Sequence, residues 1–263
     1  MAKKVPKKAA KKVKAEKVKA EKVKAEVGTA VRLADCAPRP LKRVSTGLKR
    51  LDDALGGGLV LGSTTVIVGP PGVGKTTLLL QVAANVSRSP GRRALYASAE
   101  QSEGDVRSLL LRLRAHDAVR LSVLCDPRGV DVYEITAEAE RLGSSLVVVD
   151  SIQTSCVEDV TADFGSTTQV LAVMNWLTSF AKMKNVAVLL VCHTRKDGCL
   201  AGPYAVEHLA DAVCYLSPAR DETGGERWVE LSVDKHRHGP CGKRVDLRMT
   251  ERGFVERGGS KNH

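Results

Sequence analysis

The sequence predicts an α/β fold, a mostly parallel twisted sheet flanked by helices on both faces, and three observations carry that reading. The apolar run Thr65-Val66-Ile67-Val68 passes through a glycine-rich turn, Gly69-Pro-Pro-Gly72-Val-Gly74, into a helical pattern that starts at Lys75 and continues through Leu78-Leu79-Leu80 and Val82-Ala83-Ala84. Further apolar runs at 93–98, 121–125, 146–150 and 186–191 alternate with helical patterns, and strands alternating with helices join through right-handed crossovers into a parallel sheet. The run Leu146-Val-Val-Val-Asp150 ends on a carboxylate.

The turn carries the chemistry. Glycines at 69, 72 and 74 let the backbone point its N–H groups inward around a phosphate chain, a curvature that side chains would obstruct. The N-terminus of the following helix adds partial positive charge. Lys75 reaches β- and γ-phosphates as a point charge, and the Thr76 hydroxyl is a ligand for Mg²⁺. Gly69, Pro70, Pro71, Gly72, Val73, Gly74, Lys75, Thr76 and Thr77 thus form a Walker A arrangement, which predicts ATP and Mg²⁺ as cofactors. Asp150, about 75 residues later at the end of a buried strand, supplies the partner carboxylate for the Mg²⁺ shell.

Composition locates the charge. The 263 residues carry a net charge of +11, but residues 1–26 hold eleven Lys and three Glu, so the body is nearly neutral. Lys-Val-Lys-Ala-Glu occurs three times there, beginning at Lys12, Lys17 and Lys22. Five-residue spacing turns successive valines about 140° around a helix and leaves no apolar stripe. Residues 1–30 are therefore expected to form a low-complexity arm, disordered or transiently helical, that either attracts nucleic acid in a salt-sensitive way or only solubilises the chain. Seven cysteines without a Cys-x-x-Cys pair point to reduced thiols in a cytoplasmic protein. No apolar run reaches the roughly 20 residues of a membrane span.

In chain order, Cys36-Ala-Pro-Arg-Pro40 reads as an extended linker within 31–43. Val44-Ser45-Thr46-Gly47-Leu48 through Leu51-Asp52, then Gly56-Gly57-Gly58-Leu59, read as a capped helix and a glycine turn before a strand. Arg93–Ser98 is the next strand. Ser102-x-x-Asp105 has the form of a capping box ahead of a helix over Val106–Ala115. Leu121–Cys125 reads as a strand, Tyr133–Leu142 and Thr168–Met183 as helices, and Val186–Val191, Trp228–Val233 and Arg244–Met249 as strands.

The Ser-Thr-Gly turn, the Leu-Asp helix, the triple-glycine turn and the phosphate loop together resemble the RecA-like P-loop NTPase cores of the RecA superfamily. The chain looks most similar to the bacterial RadA/Sms branch, with KaiC-like ATPases as near relatives, over residues 43–256. The resemblance implies roles. Glu100 matches the glutamate that activates the attacking water, and with Lys75 it forms the catalytic pair. Ser151-Ile-Gln-Thr154 and Cys192-His193-Thr194-Arg195-Lys196 continue the RadA pattern, which makes His193 a sensor of nucleotide state and Arg195 and Lys196 DNA-binding residues. Where RadA proteins carry Lys-Asn-Arg-Phe-Gly, this chain has Lys235-His236-Arg237-His238-Gly239. Lys235 and Arg237 then match fingers that reach a neighbouring subunit's nucleotide, implying a homo-oligomeric ring. One departure is the loop after Thr154, acidic through Glu158, Asp159 and Asp163, with Phe164 as its only stacking side chain.

RadA/Sms proteins also carry a four-cysteine zinc module before the core and a Lon-like domain after it; the expectation here is a core, 44–256, with neither, and a flexible tail at 257–263. The expected function is that of an ATP hydrolase stimulated by single-stranded or branched DNA in recombinational repair, working beside recombinase or helicase partners. The alternative is a KaiC-like, nucleotide-gated assembly or signalling ATPase whose DNA binding is incidental.

Overall fold

The computed structural model describes Arg32, Ala34 and residues 40–193, 205–220 and 227–257. The chain divides into Met1–Pro40 and Leu41–His263. The lysine repeats, Arg195 and Lys196, and the tail from 258 lie outside the described residues.

Within the second unit, β1 (Arg43–Val44), α1 (Lys49–Ala54) and β2 (Leu59–Val60) lead to β3 (Thr64–Gly69) and α2 (Lys75–Arg88). Next come β4 (Ala94–Ser98), α3 (Glu103–Arg112), β5 (Leu121–Cys125), β6 (Val130–Asp131), α4 (Val132–Leu142) and β7 (Leu146–Asp150). A 3₁₀ turn at Ile152–Thr154 and β8 (Ser155–Cys156) precede α5 (Thr167–Lys184) and β9 (Ala187–His193). The described chain finishes with α6 (Ala205–Leu209), β10 (Ala212–Arg220), β11 (Arg227–His236), β12 (Lys243–Thr250) and β13 (Gly253–Glu256).

Nine strands hydrogen-bond in the order β13-β12-β11-β10-β3-β9-β7-β4-β5. The six from β10 to β5 in that order are parallel, and β11, β12 and β13 extend the sheet as an antiparallel meander. Every residue of β3, β4 and β7 is buried, because parallel strands are covered on both faces and so read as unbroken apolar runs. One core layer joins the sheet to α1, α2 and α3, and the other joins it to α4, α5 and α6. Register then decides the site. Gly69 pairs with His193, and Ser98 pairs with Asp150, so the loops that follow these strands open at one carboxyl edge.

Caps set the helix boundaries. Ser102 Oγ accepts the Asp105 amide at 3.2 Å while Asp105 Oδ2 accepts the Ser102 amide at 3.1 Å, so α3 starts at Glu103 rather than at the first apolar residue, Val106. It ends at Arg112, and Arg114 takes a φ of 52°. The capped helix expected near Ser45 is corrected. α1 has no side-chain cap from its own N-terminus; Asp52 instead folds back onto Thr46, and Glu256 Oε1 accepts the amides of Arg50 and Leu51 at 2.7 and 3.0 Å.

The last strand braces the first turn of α2. A Cβ on Gly74, whose φ is 102°, would lie 2.7 Å from the Phe254 ring, and Gln81 on α2 bonds both the N–H and the C=O of Phe254 at 2.8 Å. Phe254→Ala is expected to lower the unfolding free energy by about 3–5 kcal/mol in a urea titration. Phe164→Ala, in a ring half exposed to solvent, should cost less than about 1 kcal/mol.

Candidate active site

The turn after β3 is shaped by close approach. A Cβ on Gly69 would meet the Leu216 carbonyl oxygen at 2.4 Å, so β10 leaves room only for glycine there. Gly74 stands at the N-cap of the 14-residue α2, and no side chain caps that helix's first turn, which suits an anion. Lys75 Nζ donates to the carbonyls of Gly69 at 2.8 Å and Pro70 at 2.9 Å, and the side chain is buried. Burial lowers its pKa, while the carboxylates of Asp150 and Glu100 work against that loss of charge.

Thr76 and Asp150 meet as their spacing implied. Thr76 Oγ1 donates to Asp150 Oδ2 at 2.7 Å, and the buried Tyr96 hydroxyl donates to the same oxygen at 2.7 Å. The other oxygen, Oδ1, is buried with no hydrogen-bond partner among the described residues. A buried carboxylate oxygen without a donor is costly unless something else meets it. Burial raises the Asp150 pKa above 3.8; the Thr76 and Tyr96 hydroxyls oppose that rise and the nearby Glu100 charge adds to it. A hard cation would reverse the imbalance, so the donor set fits Mg²⁺, with Thr76 and Asp150 as its protein ligands.

Glu100 lies two residues beyond β4. Its Oε1 accepts from Ser151 Oγ at 2.8 Å and lies 3.3 Å from His193 Nε2. One oxygen each of Glu100 and Asp150 and a ring nitrogen of His193 lie within 4.8 Å of one another. The hydrogen bond with His193 lowers the Glu100 pKa; burial opposes it and the Ser151 bond reinforces it. Glu100 is thus held as an anion beside a carboxylate that resists ionisation. Gln153 on the 3₁₀ turn donates to Cys192 Sγ at 3.2 Å and to the His193 carbonyl at 3.4 Å, tying the segment after β7 to the end of β9. Burial pushes the Cys192 thiol up to about 11, so it stays protonated there.

Residues 33–199 match the model of a family described as "AAA domain". The chain belongs to the AAA domain family. Membership implies ATPase activity. Among curated relatives, this chain is 43% identical over 184 residues to "DNA repair protein RadA" of Mycobacterium tuberculosis, covering 70% of this chain and 37% of the relative. With the RadA of Escherichia coli K12 the identity is 36% over 234 residues, covering 88% and 48%. The chain therefore spans less than half the length of these relatives. Among solved structures, the KaiC-like protein PH0186 of Pyrococcus horikoshii superposes with a TM-score of 0.66 at 18% identity, over 83% of this chain and all of that one, a likeness of fold. A RecA-like core similar to RadA accords with the strand order above.

The fold gathers Lys75, Thr76, Glu100, Asp150 and His193 at one edge of the sheet, but not Lys235 and Arg237. Lys235 lies near the end of β11 and Arg237 just beyond it, where His236 pairs with Ala212, and Ala212 pairs with Thr65 at the start of β3 rather than with Gly69 at its end. Lys235 Nζ donates to the carbonyls of Glu207 and His208 at 2.5 and 3.1 Å. Arg237 bonds the His208 carbonyl at 2.8 Å and Asp211 at 3.1 Å. Both cations thus stand at the amino edge of the strands, several residues of β3 away from their own phosphate loop. Phe164 packs its ring edge against Gly129, where a Cβ would lie 2.4 Å from it. Tyr96 was not singled out by the sequence, and Ser151 and Gln153 stood only within the Ser151-Ile-Gln-Thr154 pattern, with no contact assigned to them. Tyr96 reads as one more core residue of an apolar strand, and the other two carry no spacing signal.

No helix among the described residues is long and apolar enough to cross a membrane. Because burial raises the Asp150 pKa, the fold favours the protonated carboxyl, and ionising it costs stability as pH rises through that raised value. At neutral pH Asp150→Asn should therefore raise the Tm of the metal-free protein by about 2–4 °C while abolishing any Mg²⁺-dependent rise. Thermal melts with and without MgCl₂ check both signs.

Proposed function

We propose that this chain is a Mg²⁺-dependent ATP hydrolase of RadA type that binds single-stranded or branched DNA in recombinational repair and acts as a homo-oligomer. The observation that carries the reading is the convergence of Lys75, Thr76, Asp150, Glu100 and His193 on one strand edge beside an uncapped helix N-terminus. The names of the relatives supply the biological setting.

On this reading Lys75 exchanges the Gly69 and Pro70 carbonyls for phosphate oxygens, and the amides of the loop and of the first α2 turn bind the rest of the chain. Bound Mg²⁺, held by Thr76 and Asp150, supplies neutralisation of phosphate charge. Glu100, kept anionic by His193 and Ser151, orients and accepts a proton from the attacking water. His193 bridges from Glu100 to the segment containing Arg195 and Lys196, which contact DNA phosphates, and so acts as the sensor. Lys235 and Arg237, at the far edge of their own sheet, serve a neighbour's nucleotide and offset charge there.

Steady-state ATP hydrolysis by the full chain, with and without single-stranded DNA, tests this. Glu100→Gln should cut turnover about 10²- to 10⁴-fold with nucleotide binding retained, and wild-type turnover should rise with DNA and fall back with salt. The acidic loop, where Asp159 accepts from the Tyr133 hydroxyl, favours a second reading, the KaiC-like nucleotide-gated module. DNA-indifferent turnover at every salt concentration, or loss of all DNA affinity on deleting residues 1–30, would move the assignment there.

A further inference from the structure

We propose that His236, between the two finger cations, is a positioning residue that holds Lys235 and Arg237 in place only while its imidazole is neutral, so that trans-boundary ATP hydrolysis carries an acid-sensitive switch. The inference rests on the trans-acting role given to those cations above. The ring's two nitrogens face backbone groups of opposite kind. Nε2 lies 3.0 Å from the Leu55 carbonyl, which only accepts, and Nδ1 receives the His238 amide at 3.4 Å, which only donates. The neutral tautomer with its proton on Nε2 meets both partners. A second proton would have to sit on Nδ1, against the His238 N–H.

The ring has little room to turn away. It is buried, and a Cβ on Gly239 would lie 2.6 Å from its Cδ2 and Nε2. The same carbonyl of Leu55 also receives Arg43 Nη1 at 2.8 Å, and Arg43 reaches the carbonyls of Gly58 at 3.0 Å and His238 at 2.6 Å. His236 therefore fastens the turn after β11 to a frame made of β1 and the glycine turn after α1. Expelling the ring would release the backbone on either side of it, and that backbone carries the cations.

The surroundings agree with a neutral ring. Burial is the largest influence and lowers the pKa from the ordinary 6.5; the bond to Leu55 opposes this, Arg43 from β1 and His238 from the same turn add to it, and Asp211 before β10 opposes it. The folded value lies below the unfolded one, so the stabilisation from neutral His236 is whole above pH 6.5 and is lost as pH falls through the lowered value. His236→Gln separates protonation from packing, since a Gln amide donates through Nε2, accepts through Oε1 and does not titrate in this range.

The test mixes full-length variants and follows ATP turnover with DNA. Glu100→Gln protomers lack the base but offer intact fingers, and Arg237→Ala protomers do the reverse. An equal mixture should recover turnover at about a quarter of its boundaries, and His236→Ala should complement Glu100→Gln in the same way. The wild-type rate divided by the His236→Gln rate should be constant above about pH 6.5 and fall as much as tenfold per pH unit in acid. Superimposable profiles for the wild type and His236→Gln, or full turnover by His236→Ala alone, would overturn the assignment of His236 while Arg237→Ala complementation left the trans-boundary reading standing. If the Arg237→Ala and Glu100→Gln pair fails to recover turnover, that reading falls and the inference falls with it.

Discussion

The site depends on keeping a carboxylate charged where the surroundings disfavour charge. Asp150 ends a strand with no exposed residue, takes two hydroxyl bonds on one oxygen, and leaves the other without a donor among the described residues. Among the described residues no cation hydrogen-bonds to it; Lys75, which feels its charge, is occupied by loop carbonyls. Such an arrangement is poor for stability in isolation and good for holding a hard cation. Tyr96 in β4 can reach Asp150 because β4 pairs directly with β7, the strand that ends in Asp150, and Thr76 reaches the same oxygen from the start of α2.

The antiparallel meander has a part in this that its place at the end of the chain does not suggest. Phe254 fills the space beside Gly74, Glu256 stands where the N-cap of α1 would otherwise be unmet, and Gln81 secures the strand that carries both. The helix that presents Lys75 and Thr76 is therefore positioned from two sides, by the parallel core beneath it and by β13 beside its first turns. The glycine turn is shaped by this packing as much as by the phosphates it suits.

Much of this was legible in the sequence. Unbroken apolar runs located β3, β7 and β9, and the capping box at Ser102 announced α3, because burial on both faces and cap chemistry are local properties. The phosphate loop and Asp150 were legible for the same reason, each being a short motif on a recognisable element. What stayed hidden was relational. Pro218 obscured β10, although that strand pairs with β3 only over Ala212–Tyr215, so a missing N–H beyond that point breaks no bond to β3. Tyr96 and Phe254 look like ordinary core residues until the partner strands are known. The cap of α1 comes from some 200 positions away, which no local pattern announces.

Lys75 gives the loop a selectivity that follows from its resting contacts. Its ammonium already makes two charge-assisted hydrogen bonds to Gly69 and Pro70, so any ligand that draws it away must replace bonds of the stronger kind. A neutral molecule entering the turn would strand a buried cation and two carbonyls with nothing in return. A polyanion gives back more than it displaces, and it also meets the α2 amides. The cradle is therefore self-satisfied when free and rejects uncharged ligands energetically, without any side chain placed there to exclude them.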